Sequence, residues 1–160
     1  MKRRVQWRAQ VTINAPRQRV WAVGEDIALI PSYHPDVGRV ELMSATNRRA
    51  PGVEYRCFVT DGPRKGSCVE RVTEQIPYEK TVTLSVEDTW GLSALLRDFV
   101  TETLLSSQDD RTTTVTMLGY YEPVDLKARI MNLLVLRRMM TRRGRNVLAG
   151  IKDAVERADL

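Results

Sequence analysis

The feature that most constrains this fold is the C-terminal fifth of the chain, whose helical pattern has no interruption. Residues 126–157 contain no proline, Gly144 and Gly150 are their only glycines, and apolar residues recur at helical spacing. Asp125 precedes the segment and is predicted to be its N-cap. Each helical residue adds about 1.5 Å, so this helix is long enough to cross a whole sheet, and Gly144 would permit a bend.

The preceding part of the chain predicts an antiparallel sheet. Residues 5–13 alternate between apolar and polar side chains, which is typical of a strand with one buried face. Six further strands are expected at residues 38–45, 52–60, 65–76, 80–87, 95–107 and 112–121. Their connections are short and contain proline, glycine and aspartate, so neighbouring strands should run antiparallel.

Two short helices are expected between the first strand and the others. Asn14 is predicted to cap the first helix and Asp26 the second, which Pro31 stops. Residues 88–94 either end a strand or form a lid-like loop. Together these elements predict one α+β domain over residues 1–160. It has a curved seven-stranded antiparallel sheet, two short helices and one long C-terminal helix that encloses a cavity against the sheet.

The composition is that of a soluble protein, with 42% hydrophobic and 28% charged residues. No apolar run approaches the roughly 20 residues needed to cross a bilayer, and the basic N-terminus lacks the apolar core of a secretory signal. We therefore expect a cytoplasmic protein. In that compartment Cys57 and Cys68, the only cysteines, are expected to be packed thiols rather than a disulfide.

The formal net charge of +5 comes largely from arginines in the terminal helix, at positions 137, 138, 142, 143 and 145. Basic segments that bind single-stranded nucleic acid carry interleaved aromatic residues, and this one carries none. A solvated helix face is therefore favoured over nucleic-acid binding.

Motifs for metal or cofactor chemistry are missing from the sequence. His34 is the only histidine, and the cysteines and acidic residues do not have zinc-ligand spacing. No nucleophile elbow, phosphate-binding glycine loop or zinc-protease motif is present. We therefore expect no metal and no cofactor, which leaves acid/base chemistry in a shaped pocket if the protein is an enzyme.

If the sheet curls over the helix, alternate strand residues face the enclosed space. The predicted inward set is mostly apolar and comprises Trp7, Val11, Ile13, Tyr55, Cys57, Val59, Glu70, Val72, Val82, Leu84, Val86, Phe99, Val115, Met117 and Tyr121. Such a set can pack as a solid core, whereas a strongly bent sheet leaves an apolar pocket, the usual form of a ligand site. We favour the pocket.

Glu70 stands out because its position in the alternation puts a carboxylate on the apolar face. An unpaired buried carboxylate has a raised pKa, which suits a general acid or base. The alternatives are an ion pair with Arg97 and a bulge that turns Glu70 outward toward Arg56. Tyr55 and Tyr121 either donate hydrogen bonds to a ligand or make structural ones.

Several segments resemble the START-like superfamily, also called SRPBCC, and in particular its polyketide cyclase/dehydrase and lipid-transport branch. They are VTINAPRQRVWAV at 11–23, PSYHPDVGRVEL at 31–42, GVEYRC at 52–57, CVERVTEQIPYEKTVTLSV at 68–86, DRTTTVTM at 110–117 and LAGIKDAVE at 148–156. The resemblance implies a helix-grip fold that binds a hydrophobic small molecule, such as a lipid, an isoprenoid or a polyketide-like compound. The rival function is a polyketide cyclase or dehydratase without metal or cofactor, so enzymatic activity stays open.

The same resemblance places the Tyr33-His34-Pro35 corner near the cavity mouth. There His34 joins Glu70 as a candidate catalytic residue, although a lone histidine before proline is more often part of a turn. The candidate ligand-binding residues are Trp7, Val11, Tyr33, Tyr55, Cys57, Val72, Leu84, Phe99, Met117, Tyr121, Met131 and Leu134.

The start of the terminal helix has more apolar residues than one contact with the sheet requires. They are Met131, Leu133, Leu134, Val135, Leu136, Met139 and Met140. The segment is interpreted either as a pliable gate over the cavity or as core on one side and dimer contact on the other. Peripheral attachment to an anionic membrane, using the adjacent arginines, ranks below both. The expected partners are a hydrophobic ligand and, if the protein is not a monomer, a second copy.

Overall fold

The computed structural model describes residues 3–158, so the two residues at each end of the predicted domain lie outside it. Its strands are β1 (Val5–Ile13), β2 (Val37–Leu42), β3 (Glu54–Asp61), β4 (Arg64–Ile76), β5 (Lys80–Asp88), β6 (Leu96–Ser106) and β7 (Thr113–Pro123). Its α-helices are α1 (Arg17–Glu25), α2 (Ile30–Tyr33), α3 (Leu126–Met131) and α4 (Arg137–Arg157). Single 3₁₀ turns occur at Ile27–Leu29 and Leu92–Ala94, and a π turn at Asn132–Leu136 joins α3 to α4.

All seven strands form one antiparallel sheet in the order β1-β7-β6-β5-β4-β3-β2. The sheet is not closed, because β1 and β2 remain its two edges. Helix α4 packs against β1 and contacts both α1 and α2. The predicted α+β architecture of seven antiparallel strands, short helices after the first strand and one long C-terminal helix is confirmed.

Two of the three predicted helix caps are present. Asp125 accepts a hydrogen bond from the main-chain N of Ala128 at 2.7 Å, and Asp26 accepts one from Ala28 at 2.9 Å. The cap predicted at Asn14 is wrong. Pro16 has the extended backbone that begins α1, so Asn14 lies too far before the helix to reach its first amides.

Gly144 allows close packing of α4 against Trp7. A Cβ atom at this position would lie 2.6 Å from Trp7 Cζ3, and one at Gly119 would overlap the other edge of the same indole. The Trp7 ring therefore lies between two glycines, which lets α4 approach the sheet. The irregular part of the terminal helix is the π turn at Asn132–Leu136, which precedes Gly144 in the chain.

The inner face of β5 differs from the prediction. The alternation of residues along the strand was predicted to put Val82, Leu84 and Val86 on this face, but the structure places Thr81, Thr83 and Ser85 there. A bulge in β4 after Val72 adds one residue, so Val72 lies opposite Thr83 instead of Leu84. Threonine and valine both suit strands, so composition alone does not reveal the change of face.

Between residues 3 and 158, no helix combines the length and the apolar character that crossing a membrane requires.

Candidate functional site

A cavity of about 240 Å³ lies between the inner face of the sheet and helices α1, α2 and α4. Its apolar lining comes from both layers, with Trp7, Phe99 and Met117 on the sheet and Met140 and Val147 on α4. All five side chains also pack with the hydrophobic core. The cavity is therefore an opening within the core rather than a groove on the surface.

The structure brings about half of the sequence-predicted site residues to this cavity. Those that line it are Trp7, Tyr33, His34, Cys57, Glu70, Phe99 and Met117. Those that do not are Val11, Tyr55, Val72, Leu84, Tyr121, Met131 and Leu134.

The second group lies outside the lining for different physical reasons. Tyr55 and Val72 are fully buried in the core, and Val11 and Met131 pack at its margin. The bulge in β4 puts Leu84 on the outer face of β5. Leu134 is 64% exposed, because it projects from the solvent side of the π turn.

Tyr121 forms a layer behind the cavity wall. Its ring stacks on Phe99 with 5.5 Å between the ring centroids. Its hydroxyl donates a hydrogen bond to Oδ1 of the buried Asn132 at 2.6 Å. Burial raises the pKa of Tyr121 to about 12, so the phenol stays protonated and remains a donor. Tyr121 was expected to donate a hydrogen bond either to a ligand or to another part of the protein. In the structure it donates to the protein.

Glu70 faces the cavity and has a specific partner. The Tyr55 hydroxyl donates a hydrogen bond to Glu70 Oε2 at 2.6 Å. Burial, reinforced by the nearby Glu70 charge, raises the pKa of Tyr55 well above its ordinary value, although Arg49 opposes this shift. Tyr55 therefore acts as a fixed donor that orients the carboxylate from behind.

Neither alternative for Glu70 occurs in the structure. Arg97 lies 4.0 Å from Glu122, and Arg56 forms an ion pair with Glu87 at 3.0 Å. Glu70 keeps the inward orientation that the strand alternation predicts.

Arg49 is a cavity residue that sequence reasoning missed. It belongs to the connection between β2 and β3, and its main-chain N donates to Glu25 O at 2.9 Å, which fixes the connection to the end of α1. The guanidinium lies over the Tyr55 ring, 5.1 Å from its centroid. Within residues 3–158 its buried Nε has no hydrogen-bond partner. No strand or helix period applies to this connection, so nothing in the sequence separates Arg49 from the exposed Arg48.

The charge of Arg49 is maintained despite its surroundings. Burial opposes the cation, but the neighbouring Tyr55, Tyr33 and Glu70 outweigh that effect and hold the pKa of Arg49 above its ordinary value. Arg49 forms no ion pair with any carboxylate of the described chain. A cation in this position can bind an anionic or strongly polarised oxygen of a ligand.

His34 follows α2 and both shapes the turn and lines the cavity. Its Nδ1 accepts a hydrogen bond from the main-chain N of Asp36 at 3.2 Å, which places the proton of the neutral ring on Nε2. Burial lowers the pKa of His34, and the Glu70 and Asp36 charges only partly oppose this. The imidazole is therefore neutral near pH 7 and can donate a hydrogen bond from Nε2. We call Tyr33, His34, Arg49, Tyr55 and Glu70 the polar cluster.

Hydroxyl groups cover the wall formed by β5 and β6. Thr81 lies opposite Thr103 and Thr83 opposite Thr101 in the strand register, and Ser85 continues the row on β5. In the part of the chain that the structure describes, none of these five hydroxyls forms a hydrogen bond with another protein group. This wall, expected to be apolar from the sequence, can instead bind ligand oxygens.

Two alternatives were predicted for residues 88–94, a strand end and a loop. The structure has the loop. Asp88 accepts hydrogen bonds from the main-chain N of Trp90 at 2.7 Å and of Ser93 at 2.8 Å, which holds the loop in shape. Trp90 lines the cavity, and the Arg143 guanidinium lies 4.3 Å from the centroid of its ring. Arg143 also pairs with Asp61 and Asp36. Together Trp90 and Arg143 cover one side of the cavity.

The two cysteines have free thiols. Cys57 lies opposite Cys68 across β3 and β4. A hydrogen bond with Cys68 and burial both raise the pKa of the Cys57 thiol, so it stays protonated and is a poor nucleophile. Among residues 3–158, no three histidine, cysteine, aspartate or glutamate side chains are grouped to hold a metal ion.

Several solved structures have the same fold as this protein. Among solved structures, the Zhui aromatase/cyclase from Streptomyces sp. R1128 superposes with a TM-score of 0.77 at 17% identity, covering 96% of this chain and 94% of that chain. A protein from Thermus thermophilus has a TM-score of 0.76 at 18% identity, covering 96% and 99%. A START superfamily protein from Mycobacterium smegmatis has a TM-score of 0.71 at 11% identity, covering 94% and 97%. At these identities the likeness establishes the fold alone.

Sequence comparison identifies the family. No curated protein is similar enough in sequence to count as a match. The sequence pattern of the polyketide cyclase/dehydrase and lipid transport family matches residues 4–156, which is nearly the whole chain. The chain therefore belongs to the polyketide cyclase/dehydrase and lipid transport family.

Proposed function

We propose that this protein binds a compact, largely apolar molecule carrying oxygen substituents in the cavity between sheet and helix. The observation that carries the proposal is the lining itself. Aromatic and aliphatic side chains surround a space into which Arg49, Glu70 and the hydroxyl wall project. Ligand sites usually combine such an apolar surface with a few convergent polar groups.

The size of the cavity favours a compact ligand. Ligand pockets usually have volumes of about 300–1,000 Å³, and this one, at about 240 Å³, lies below the small end of that range. A molecule of one or two rings suits this space better than an extended acyl chain. Burial against Trp7, Phe99 and Met117 supplies most of the affinity, at about 25 cal/mol for each Å² of apolar surface removed from water. The polar cluster then sets the orientation.

A titration with 2-naphthoate tests this proposal. Trp7 and Trp90 line the cavity, so binding should change the intrinsic fluorescence, and native mass spectrometry should show one bound molecule. Met117→Trp fills the space and should abolish binding, whereas Leu42→Trp, at an exposed position on β2, should bind as the wild type does. Equal binding by both variants would place the probe outside the cavity and contradict the proposal.

The polar cluster also supports a second function, ring closure and dehydration of a polyketide-like chain. The Glu70 carboxylate would remove a proton from a carbon between two carbonyls, and Arg49 would stabilise the resulting enolate oxygen. The enolate carbon would form a bond to the carbon of a third carbonyl, whose oxygen takes up the proton from Glu70. Glu70 would then remove the remaining hydrogen of the attacking carbon and pass it to the new hydroxyl, which leaves as water as the carbon–carbon double bond forms. The hydrogen bond from Tyr55 to Glu70 is the observation that favours this function.

Replacing Glu70 by Gln separates the two functions. The variant keeps the shape and can still accept the Tyr55 hydrogen bond, but it cannot take up a proton. An enzyme should lose turnover of a linear polyketide mimic by roughly 100-fold or more while 2-naphthoate affinity changes little. Equal turnover rates for the wild type and the variant would contradict the catalytic function, so that only the binding function would remain.

A further inference from the structure

The segment that joins β7 to α4 exposes an unusual amount of aliphatic surface. Leu126, Ile130, Leu133, Leu134 and Val135, which we call the apolar patch, are each between 53% and 72% exposed. They belong to α3 and the π turn, whose buried residues are Ala128, Asn132 and Leu136, with Met131 packed at the margin of the core. None of the five patch residues lines the cavity, so ligand binding does not account for them.

The buried side of the same segment is held by polar contacts. Asn132 accepts the hydrogen bond from Tyr121 and donates one to Gln6 Oε1 at 3.2 Å. This anchor leaves the patch on the opposite, solvent side of the π turn. The patch is therefore a built surface feature and not a poorly packed part of the core.

Charges of one sign surround the patch. Residues 126–152 contain no aspartate or glutamate. The cations of this region that form no ion pair within residues 3–158 are Lys127, Arg129, Arg137, Arg138, Arg142 and Arg145. Arg137, Arg138 and Arg145 also line an open groove between β1 and α4, together with Arg8, and none of the described residues that line this groove is acidic.

We propose that the apolar patch and the arginine groove form a docking surface for an anionic lipid bilayer. Aliphatic side chains enter the boundary between headgroups and acyl chains, while the adjacent cations contact the lipid phosphates. The charges argue against a second copy of this chain as the occupant, because a two-fold contact would bring the two sets of unpaired cations together. An acidic protein surface is disfavoured because the patch has no aromatic residue, the type that anchors most protein interfaces.

The test is co-sedimentation with vesicles of phosphatidylcholine alone or with about 30 mol% phosphatidylglycerol. The wild-type protein should bind the anionic vesicles at low salt at least tenfold more tightly than the neutral ones, and about 0.5 M salt should remove the difference. Leu133→Ser with Leu134→Ser, and separately Arg138→Glu with Arg142→Glu, should each weaken binding roughly tenfold or more. Because these side chains are exposed, thermal melting and 2-naphthoate affinity should stay unchanged.

Matched controls alter similar side chains elsewhere on the surface. Leu42→Ser with Met43→Ser removes exposed apolar groups on and after β2, and Arg64→Glu with Lys65→Glu reverses charges at the start of β4. Both controls should bind the anionic vesicles as the wild type does. Failure of the wild type to bind at low salt, or equal binding by all variants, would overturn the proposal. A concentration-dependent dimer that the serine variant dissolves, without vesicle binding, would show that a second copy covers the patch instead.

Discussion

At the scale of single residues, Arg49 determines which ligands the polar cluster prefers. Its buried Nε has no partner within the described chain, and it lies beside the Tyr55 ring. A ligand that brings an anionic oxygen supplies the missing acceptor and forms a charge-assisted hydrogen bond. A neutral ligand of the same shape gains much less.

We therefore predict that Arg49→Gln weakens binding of 2-naphthoate by about 10- to 100-fold, because charged hydrogen bonds contribute about 1.5–3 kcal/mol. Binding of 2-naphthol should change by less than about threefold, since it presents no full charge to the guanidinium at neutral pH. The control is Arg48→Gln, which alters the exposed neighbour. Equal losses for the two probes would mean that Arg49 acts through packing and not through its charge.

His34 gives the fold a pH dependence whose sign follows from its burial. Its pKa is lowered in the folded protein relative to the unfolded value of about 6.5, so the unfolded state binds more protons below that pH. The contribution of the neutral His34 side chain to the unfolding free energy is therefore complete above about pH 6.5, and it is lost as the pH falls toward the pKa of the folded state. His34→Gln should thus reduce the loss of unfolding free energy between about pH 7 and pH 5, measured by urea denaturation. Identical slopes for both proteins would contradict a buried, neutral imidazole.

At the scale of elements, the π turn lets the terminal helix keep buried residues that are spaced four apart against the sheet. Ala128, Asn132, Leu136, Met140 and Gly144 are buried and follow one another at intervals of four. An α-helix has 3.6 residues per turn, so a stripe with this spacing drifts around its axis. The wider π turn at Asn132–Leu136 offsets part of the drift and keeps the stripe against the sheet. The spacing was present in the sequence and is the signal that could have predicted the π turn.

The contact between α4 and β1 depends on the lack of a side chain at Gly144. In an open helix position, glycine to alanine stabilises by about 1 kcal/mol. Here the new Cβ would lie 2.6 Å from Trp7 Cζ3, so we predict that Gly144→Ala instead destabilises the protein by about 1–3 kcal/mol. Thermal or urea denaturation measures the change. Asn146→Ala, at an exposed position of the same helix, is the control and should be neutral or stabilising, while a stabilised Gly144→Ala would show that the Trp7 contact is loose.

At the scale of the whole molecule, the fold was far more predictable from sequence than the site. The seven strands and the long helix follow from periodicity and turn residues, which act locally, and Asp26 and Asp125 mark two helix starts by side-chain caps. The cavity lining depends instead on how strands pair. One extra residue in β4 moved threonines to the inner face of β5, and Arg49 reached the cavity from a connection without any period. Such placements depend on tertiary contacts that no local pattern records.

The cavity and the docking surface belong to one connected part of the molecule. Phe99 lines the cavity and stacks on Tyr121, and Tyr121 holds Asn132 in the π turn that carries the apolar patch. These two stacked side chains link the cavity wall to the segment that we propose to meet lipid.

The most direct test of the central claim is a crystal structure of the protein with 2-naphthoate. The rings should lie between Phe99 and Met117, with the carboxylate within hydrogen-bonding distance of Arg49. Electron density for the probe only on the surface, with the space between sheet and helix filled by the protein's own side chains, would contradict it.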